Sequence, residues 1–268
     1  MAKDFIPNID KAKKQNHYWW YSEYSSAYII ANEDLRASMR YVPQNCNRAL
    51  TVAGSGDNPL FCSLYGAKHV DTFDISYNAK CIMDIKTAAI GKLNLSDYLN
   101  LLEHLHATHD VATVPNMDKI SKKLSATEYN YMCAMSGSRL FNFCNVYDKH
   151  DSNLLNSQEY QKLQKIVKNR YKFYWTDIRN LNNYLVEQYD FMHLSNVLES
   201  IGDRQFHIML LEQFVRHVNV GGRILIQHLR FDPWDYEYFS NISAADAFLK
   251  KCRFIQAPND ISIFERIR

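Results

Sequence analysis

Apolar residues along the chain fall into short alternating runs and longer stretches with helical spacing, one kind following the other. A β-branched run, Leu50-Thr-Val52, leads into a loop with Gly54 and Gly56; after a helix-sized gap, Val70-Asp-Thr-Phe-Asp74 reads as a second strand. Ile82, Ile85, Ala89 and Ile90 recur at helical spacing and predict a crossover helix over 75–90. From about 92 to 169 no strand pattern emerges. Helices are predicted there over 96–106, 117–124, 126–143 and 157–168, with Ser96 and Ser157 as hydroxyl N-caps. The sheet resumes over 171–175, with the run over 176–181 following on from it, and strand patterns return at 189–196 and at 220–229, where Gly221 and Gly222 form a turn feeding the strand. A helix over 203–218 precedes that turn. The chain finishes with a helix over 244–251 and two alternating runs between Arg253 and Ile267, separated by Pro258-Asn-Asp260 as in a hairpin.

Residues 1–47 read as helical and aromatic, densest from Tyr18 to Tyr28. In a helix Trp20, Tyr24 and Tyr28 share one face. Such a segment can lie over the ligand edge of a sheet as a lid or simply pack on the sheet. Asn32-Glu-Asp-Leu35 reads as a helix start and Tyr41-Val-Pro43 as its exit.

These elements predict an α/β chain with a doubly wound, Rossmann-like sheet of seven strands that ends in an antiparallel hairpin. A helical insert follows the second strand, because a crossover of that length is too long for a loop. The expected organisation is an N-terminal segment over 1–47, an α/β domain over 48–91 and 170–268, and an inserted helical subdomain over 92–169.

Composition narrows the function classes. The 268 residues include 31 basic and 29 acidic ones, so the net charge of +2 argues against a strong field for nucleic acid or an anionic membrane. Six cysteines lack C-x-x-C spacing, which implies no metal site and reads as reduced thiols in a cytoplasmic protein. No apolar leader and no stretch of about 20 uncharged apolar residues suggests membrane insertion. Tyr is abundant at 18 residues, enough for some of it to line a pocket or a partner surface.

The chemistry centres on the glycine loop. Glycines at a strand end let backbone N–H groups approach a ligand, and an acid at the tip of the next strand can accept hydrogen bonds from a ribose diol. The dinucleotide fingerprint requires a third glycine where Pro59 stands, and a P-loop requires a Gly-Lys-Ser/Thr ending that is missing. Asp57 within the loop would repel a pyrophosphate and tolerate a cationic or amino-acid ligand. A Gly-x-Gly loop with Asp74 about 18 residues later therefore suits S-adenosylmethionine better than NAD or ATP. The bland alternative is a tight turn without function. Asp177 and Ile178, past the strand over 171–175, could hold an exocyclic amine and an adenine face; a helix N-cap aspartate is the alternative.

A single glycine loop with a hairpin finish resembles the S-adenosylmethionine-dependent methyltransferase superfamily over about 48–268. Four phrases resemble one branch of it more closely, the diacylglycerol aminocarboxypropyl transferases of betaine-lipid synthesis and their relatives. They are Gly56-Asp-Asn58, Val70-Asp-Thr-Phe-Asp74, Lys86-Thr-Ala-Ala-Ile90 and His193-Leu-Ser-Asn196, with Leu95-Ser-Asp-Tyr-Leu at the start of the insert. The resemblance implies displacement at the γ-carbon of the methionine chain with release of methylthioadenosine, where a methyltransferase displaces at the methyl. By position it puts Gly54, Ser55, Gly56 and Asp57 on the methionine part, Asp74 with Ile75 on the ribose, Asp177 and Ile178 on the adenine, and Ser195 and Asn196 beneath the sulfonium.

Candidates for a general base are Tyr21, Tyr24, His193 and His228, with a packed core histidine the plainer reading of His193. The expected reaction is aminocarboxypropyl transfer to a small soluble acceptor. Methyl transfer to a small molecule and a non-catalytic scaffold with a tyrosine-rich partner surface are the alternatives. An RNA-modifying role finds support only in the basic segment over 162–172.

Overall fold

The structure is a computed structural model that describes residues 6–15, 22–136, 138, 141–142, 153–167, 171–228, 245–257 and 260–268. The N-terminal part holds helix α1 (Ile9–Gln15), strand β1 (Ala27–Tyr28) and helix α2 (Leu35–Met39). Then come β2 (Arg48–Val52), α3 (Asp57–Leu64), β3 (His69–Asp74) and α4 (Tyr77–Ile90), in the alternation the apolar pattern predicts. The long crossover holds α5 (Leu95–Thr108), α6 (Met117–Ile120), α7 (Ala126–Ala134), β4 (Phe141–Asn142) and α8 (Ser157–Ile166). It is followed by β5 (Lys172–Trp175), α9 (Ile178–Leu181), β6 (Tyr189–His193), α10 (Arg204–Phe214), β7 (Val218–Gln227), α11 (Ala245–Leu249), β8 (Cys252–Gln256) and β9 (Ile261–Arg266).

Two compact units make up the chain. One comprises Met1–Asn32, Ala53–Leu60 and Asp74–Tyr171; the other comprises Glu33–Val52, Phe61–Phe73 and Lys172–Arg268. The second unit is built on a seven-stranded sheet of order β5-β3-β2-β6-β7-β9-β8. The pairs β2–β3, β2–β6 and β6–β7 run parallel, and β9 runs antiparallel to both β7 and β8. Crossovers with helices force the parallel register, whereas the short link between β8 and β9 permits only an antiparallel pair. A parallel sheet closed by such a hairpin, with the last strand inserted beside the fifth, is the methyltransferase-type Rossmann-like fold. Leu50, Phe191, Met192, Leu225, Ile226 and Ile263 are fully or almost fully buried, as strands covered on both faces require.

The first unit is helical around α4, which is buried at every position except Lys80. Helical spacing implied one buried face; enclosure on all sides also hides Asn78, Asp84 and Lys86, and each finds a polar partner. Asn78 Nδ2 donates to the Tyr24 and Ser25 carbonyls at 3.1 Å, and Lys80 pairs with Asp84 at 2.7 Å. Tyr131 Oη donates to Asn78 Oδ1 at 2.8 Å, and its ring meets Tyr77 edge-on at 5.1 Å between centroids.

Several expectations need correction. Tyr24 lies in a turn and Tyr28 in β1, so the aromatic segment is not one helix over its described residues. The helix expected over 126–143 ends at Ala134, and Phe141 and Asn142 pair with β1 instead, a strand inside a crossover read as wholly helical. The helix expected over 117–124 splits into α6 and a 3-10 turn over Ser121–Lys123. Asn94 and Asn156, not Ser96 and Ser157, cap α5 and α8, because their amide oxygens reach N–H groups two or three residues on. The run over 176–181 is helix α9, since Asp177 caps it and stops β5 at Trp175. Gly221 and Gly222 lie within β7, which begins at Val218, and the register against β6 slips there. The strand expected over 189–196 ends at His193.

Candidate functional site

The first unit contains the glycine loop. Gly54 and Gly56 both have left-handed backbones, with φ of 52° and 82°. A Cβ on Gly56 would lie 2.7 Å from the Met83 Cα, so this position also demands glycine for space. Gly54 N–H donates to Asp74 Oδ2 at 3.0 Å and Ser76 N–H to Asp74 Oδ1 at 2.8 Å, which ties the loop to the acid at the end of β3. Burial pushes the Asp74 carboxyl up to about 6 despite those donors. Each oxygen retains lone-pair capacity, and the residue keeps part of its surface exposed, as does the adjoining Ile75.

Asp57 does not offer its charge to a ligand. Its Oδ1 takes the Lys86 ammonium at 2.5 Å, and its Oδ2 accepts from Ala31 N–H at 2.8 Å and Ser55 Oγ at 2.9 Å. Lys86 is fully buried, and the desolvation that lowers its pKa is opposed by the charge of Asp57. The pair is neutral as a whole, so the expected repulsion of a pyrophosphate by Asp57 loses its basis, and so does the expected attraction of a cationic group. Asn58, by contrast, keeps an acceptor beside the loop. Its Oδ1 is buried without a hydrogen-bond partner among the described residues, an acceptor next to the loop that a ligand ammonium could satisfy. In the sequence Asn58 shows only as an amide two residues after Gly56, with nothing to mark its oxygen as buried.

The second unit contains the turn after β6. Ser195 has φ of 55°, a strained left-handed conformation for a non-glycine residue. Its carbonyl accepts from Gln227 N–H at 3.1 Å, while Leu194 N–H donates to the Leu225 carbonyl at 2.8 Å, so β7 holds the turn. Glu33, 1% exposed, accepts the Ser195 hydroxyl proton and the Asn196 N–H, the latter at 3.0 Å. Ser195 Oγ also lies 3.3 Å from Asn196 Oδ1. Burial pushes the Glu33 carboxyl up to about 7; the Ser195 and Asn196 donors work against that rise, and the Glu199 charge adds to it. No expectation from the sequence singled out Glu33, which read only as part of a helix start.

Asp177 serves as a cap and an ion-pair partner. Its Oδ1 accepts from Arg179 N–H at 2.8 Å, and the Arg179 guanidinium engages both of its oxygens at 2.5–3.0 Å. Ile178 is buried. The proposed contact of this pair with an adenine thus has a competing local explanation, the N-cap aspartate expected as its alternative.

The expected bases fare differently. Tyr21 lies outside the described residues. Tyr24 is buried and its hydroxyl oxygen accepts from Asn8 N–H at 2.8 Å, with burial raising its pKa. His193 is fully buried in β6 with Nδ1 3.4 Å from Thr51 Oγ1; burial pushes it down to about 3. His228 is buried, its Nε2 3.0 Å from Ser262 Oγ and its Nδ1 3.8 Å from Glu199 Oε1, and burial pushes it down to about 4. Both imidazoles are weak proton acceptors at neutral pH, unlike Glu33.

No protein-family model matches the chain, and no curated protein matches it. Among solved structures it is similar to N-methyltransferase NodS from Bradyrhizobium japonicum in complex with S-adenosyl-L-homocysteine, at 9% identity over 88% of this chain and 84% of that one, with a TM-score of 0.39. It is also similar to the rRNA methyltransferase aviRa from Streptomyces viridochromogenes, at 10% identity over 92% and 87% of the two chains and a TM-score of 0.42. A third is TehB from Haemophilus influenzae, at 14% identity over 89% and 63%, with a TM-score of 0.39. At such identities and scores the likeness adds nothing to the strand order, which establishes the fold. No helix among the described residues is long and apolar enough to cross a membrane.

Proposed function

We propose that this chain is an S-adenosylmethionine-dependent transferase. One observation carries the reading: in a sheet of methyltransferase order, the loop after the first strand has glycines at left-handed φ and is hydrogen-bonded to Asp74 at the tip of the second. Ligands of open α/β sheets bind outside strand carboxyl ends, where both features lie. The residues fit the group. Asp74 can accept from a ribose diol once ionised, and Asn58 Oδ1 can accept from the methionine ammonium. Asp57 and Lys86 hold the loop in shape from within, so they are positioning residues. S-adenosylmethionine, when bound, supplies an electrophilic carbon beside a sulfonium, and orienting an acceptor against that carbon provides most of the rate.

Two groups can move. Aminocarboxypropyl transfer to a small soluble acceptor is supported by the phrases from Gly56-Asp-Asn58 to His193-Leu-Ser-Asn196. Methyl transfer is equally compatible with the strand order, which both branches share. Calorimetry with S-adenosylmethionine and S-adenosylhomocysteine tests the shared reading, which fails when folded protein binds neither. The by-product separates the branches: methylthioadenosine marks the first and S-adenosylhomocysteine the second. Mass spectrometry of products from a cell extract identifies the acceptor, and an RNA product would redirect attention to the basic segment over 162–172.

A further inference from the structure

Residues 22–31 belong, like the glycine loop and Asp74, to the first unit. Hydrogen bonds hold this segment at both ends. At its start, the Glu23 carbonyl accepts from Tyr77 N–H at 2.8 Å and the Ser25 carbonyl from Ser76 Oγ at 2.5 Å, while Asn78 Nδ2 donates to the carbonyls of Tyr24 and Ser25. At its end, Ala31 N–H donates to Asp57 Oδ2 at 2.8 Å, and the Ala31 carbonyl accepts from the buried Asn153 Nδ2 at 3.1 Å.

The partners matter because of where they stand. Ser76 is the residue whose N–H donates to Asp74 Oδ1, and Asp57 is the acid that also accepts from Ser55 in the glycine loop. Asp74 and Gly54 are in turn bonded to each other at 3.0 Å. The segment is therefore fastened to both halves of the candidate site. The six steps from Ser25 to Ala31 reach at most about 20 Å when extended, so the chain between these anchors has little slack. Behind the glycine loop, α4 fills the space, with Met83 against Gly56 and Lys86 on Asp57 Oδ1. Between the anchors the side chains alternate: Ala27, Ile29 and Ala31 are buried, whereas Ser26, Tyr28 and Ile30 keep part of their surface open. Pairing with β4 fixes the middle, Ala27 opposite Phe141 and Tyr28 opposite Asn142. Tyr28 is thus half-open where Tyr24 is enclosed.

We propose that residues 25–31 form a strap across the mouth of the cofactor site, with Tyr28 as the residue that lies against the bound ligand. This inference rests on the S-adenosylmethionine reading, since the site it closes is the one built from Gly54 and Asp74. The anchors on the strap itself are backbone groups, so no side chain between Ser26 and Ile30 is needed to hold it there. The Tyr28 ring is left to recognise a ligand. A flat aromatic face, with few torsions to freeze, suits the adenosyl group that S-adenosylmethionine and S-adenosylhomocysteine share.

The test is hydrogen–deuterium exchange of the full chain with and without S-adenosylhomocysteine, joined to calorimetric affinities for Tyr28→Ala and Tyr28→Phe. Exchange from Ser26 to Ile30 is expected to slow by about tenfold or more on binding, and that of β8 and β9 to change far less. Tyr28→Ala should bind about tenfold or more weakly, and Tyr28→Phe, which keeps the ring, within about twofold of the parent. A purely structural role for Tyr28 in β1 would not make exchange respond to ligand, so the parent protein decides even where Tyr28→Ala fails to fold. Binding that slows the strap no more than β8 and β9 overturns the proposal and leaves the cofactor reading standing. Undiminished affinity in Tyr28→Ala, or a Tyr28→Phe as weak as Tyr28→Ala, does the same. Folded protein that binds neither S-adenosylmethionine nor S-adenosylhomocysteine overturns the cofactor reading, and the strap with it.

Discussion

Replacing Glu33 by Gln should make the protein more stable at alkaline pH. Burial raises the carboxyl from 4.5 to about 7 in the folded chain. Folded protein therefore holds a proton that the unfolded chain has already lost throughout that window, and stability falls as pH rises across it. Below about pH 4.5 both states are protonated and Glu33 contributes nothing to the pH dependence. Above about pH 7 the carboxylate is ionised in both states and the full cost is present, roughly 3 kcal/mol at 1.36 kcal/mol per pKa unit. Glu33 is 1% exposed, so solvent screening takes little away from that figure. The substituted amide is isosteric with the carboxyl, does not titrate, and keeps an oxygen to accept from Ser195 and Asn196. Urea unfolding of both proteins at several pH values gives the comparison. The stability difference, variant minus parent, should grow by roughly 3 kcal/mol between about pH 4.5 and about pH 8. Carboxylates elsewhere cancel in this difference. A difference that stays flat with pH would show that Glu33 is ionised or solvated in the folded protein, and would refute the electrostatic argument.

Four further outcomes follow from the same structure. Lys86→Met strands the Asp57 carboxylate and should cost about 3–5 kcal/mol in chemical denaturation, with Asp57→Asn added to it recovering a good part. Gly56→Ala should lower the melting temperature more than Gly54→Ala, because it adds the Met83 clash to a backbone cost of about 1–2 kcal/mol that both share. S-adenosylhomocysteine affinity should weaken as pH falls through about 6, where Asp74 gains its proton, and Asp74→Asn should bind weakly at every pH in the same titration. Asp177→Ala should lose about 1 kcal/mol of stability as the α9 cap goes; unchanged ligand affinity in that variant would confine Asp177 to capping.

Parallel strands buried on both faces must be continuous apolar runs, and a hairpin must have turn residues between alternating ones. For that reason Leu50 to Val52, Val70 to Asp74 and the runs flanking Pro258 were legible in one dimension, and with them the seven-stranded fold. Glycines 54 and 56 were legible too, because the left-handed backbone they adopt leaves few other residues possible. Short elements were not. The two-residue β4 and the four-residue α9 are too brief for any period to show, and they exist only through β1 and the Asp177 cap.

Charge is where tertiary structure decided most. Asp57 reads in sequence as a loop acid open to a ligand and Lys86 as one residue of a helix; enclosure of α4 on all sides turns them into a buried pair. Asn58 stands out through an oxygen without a partner among the described residues, and burial lowers the pKa of His193 and His228. Glu33 was invisible as chemistry, since an acid before a helix is commonplace. What the sequence by itself determined is the order of strands and the shape of the glycine loop, because periodicity and backbone conformation are local. What only the tertiary structure decided is which acid can hold a proton near neutral pH, because that depends on burial and on a hydroxyl 162 residues away.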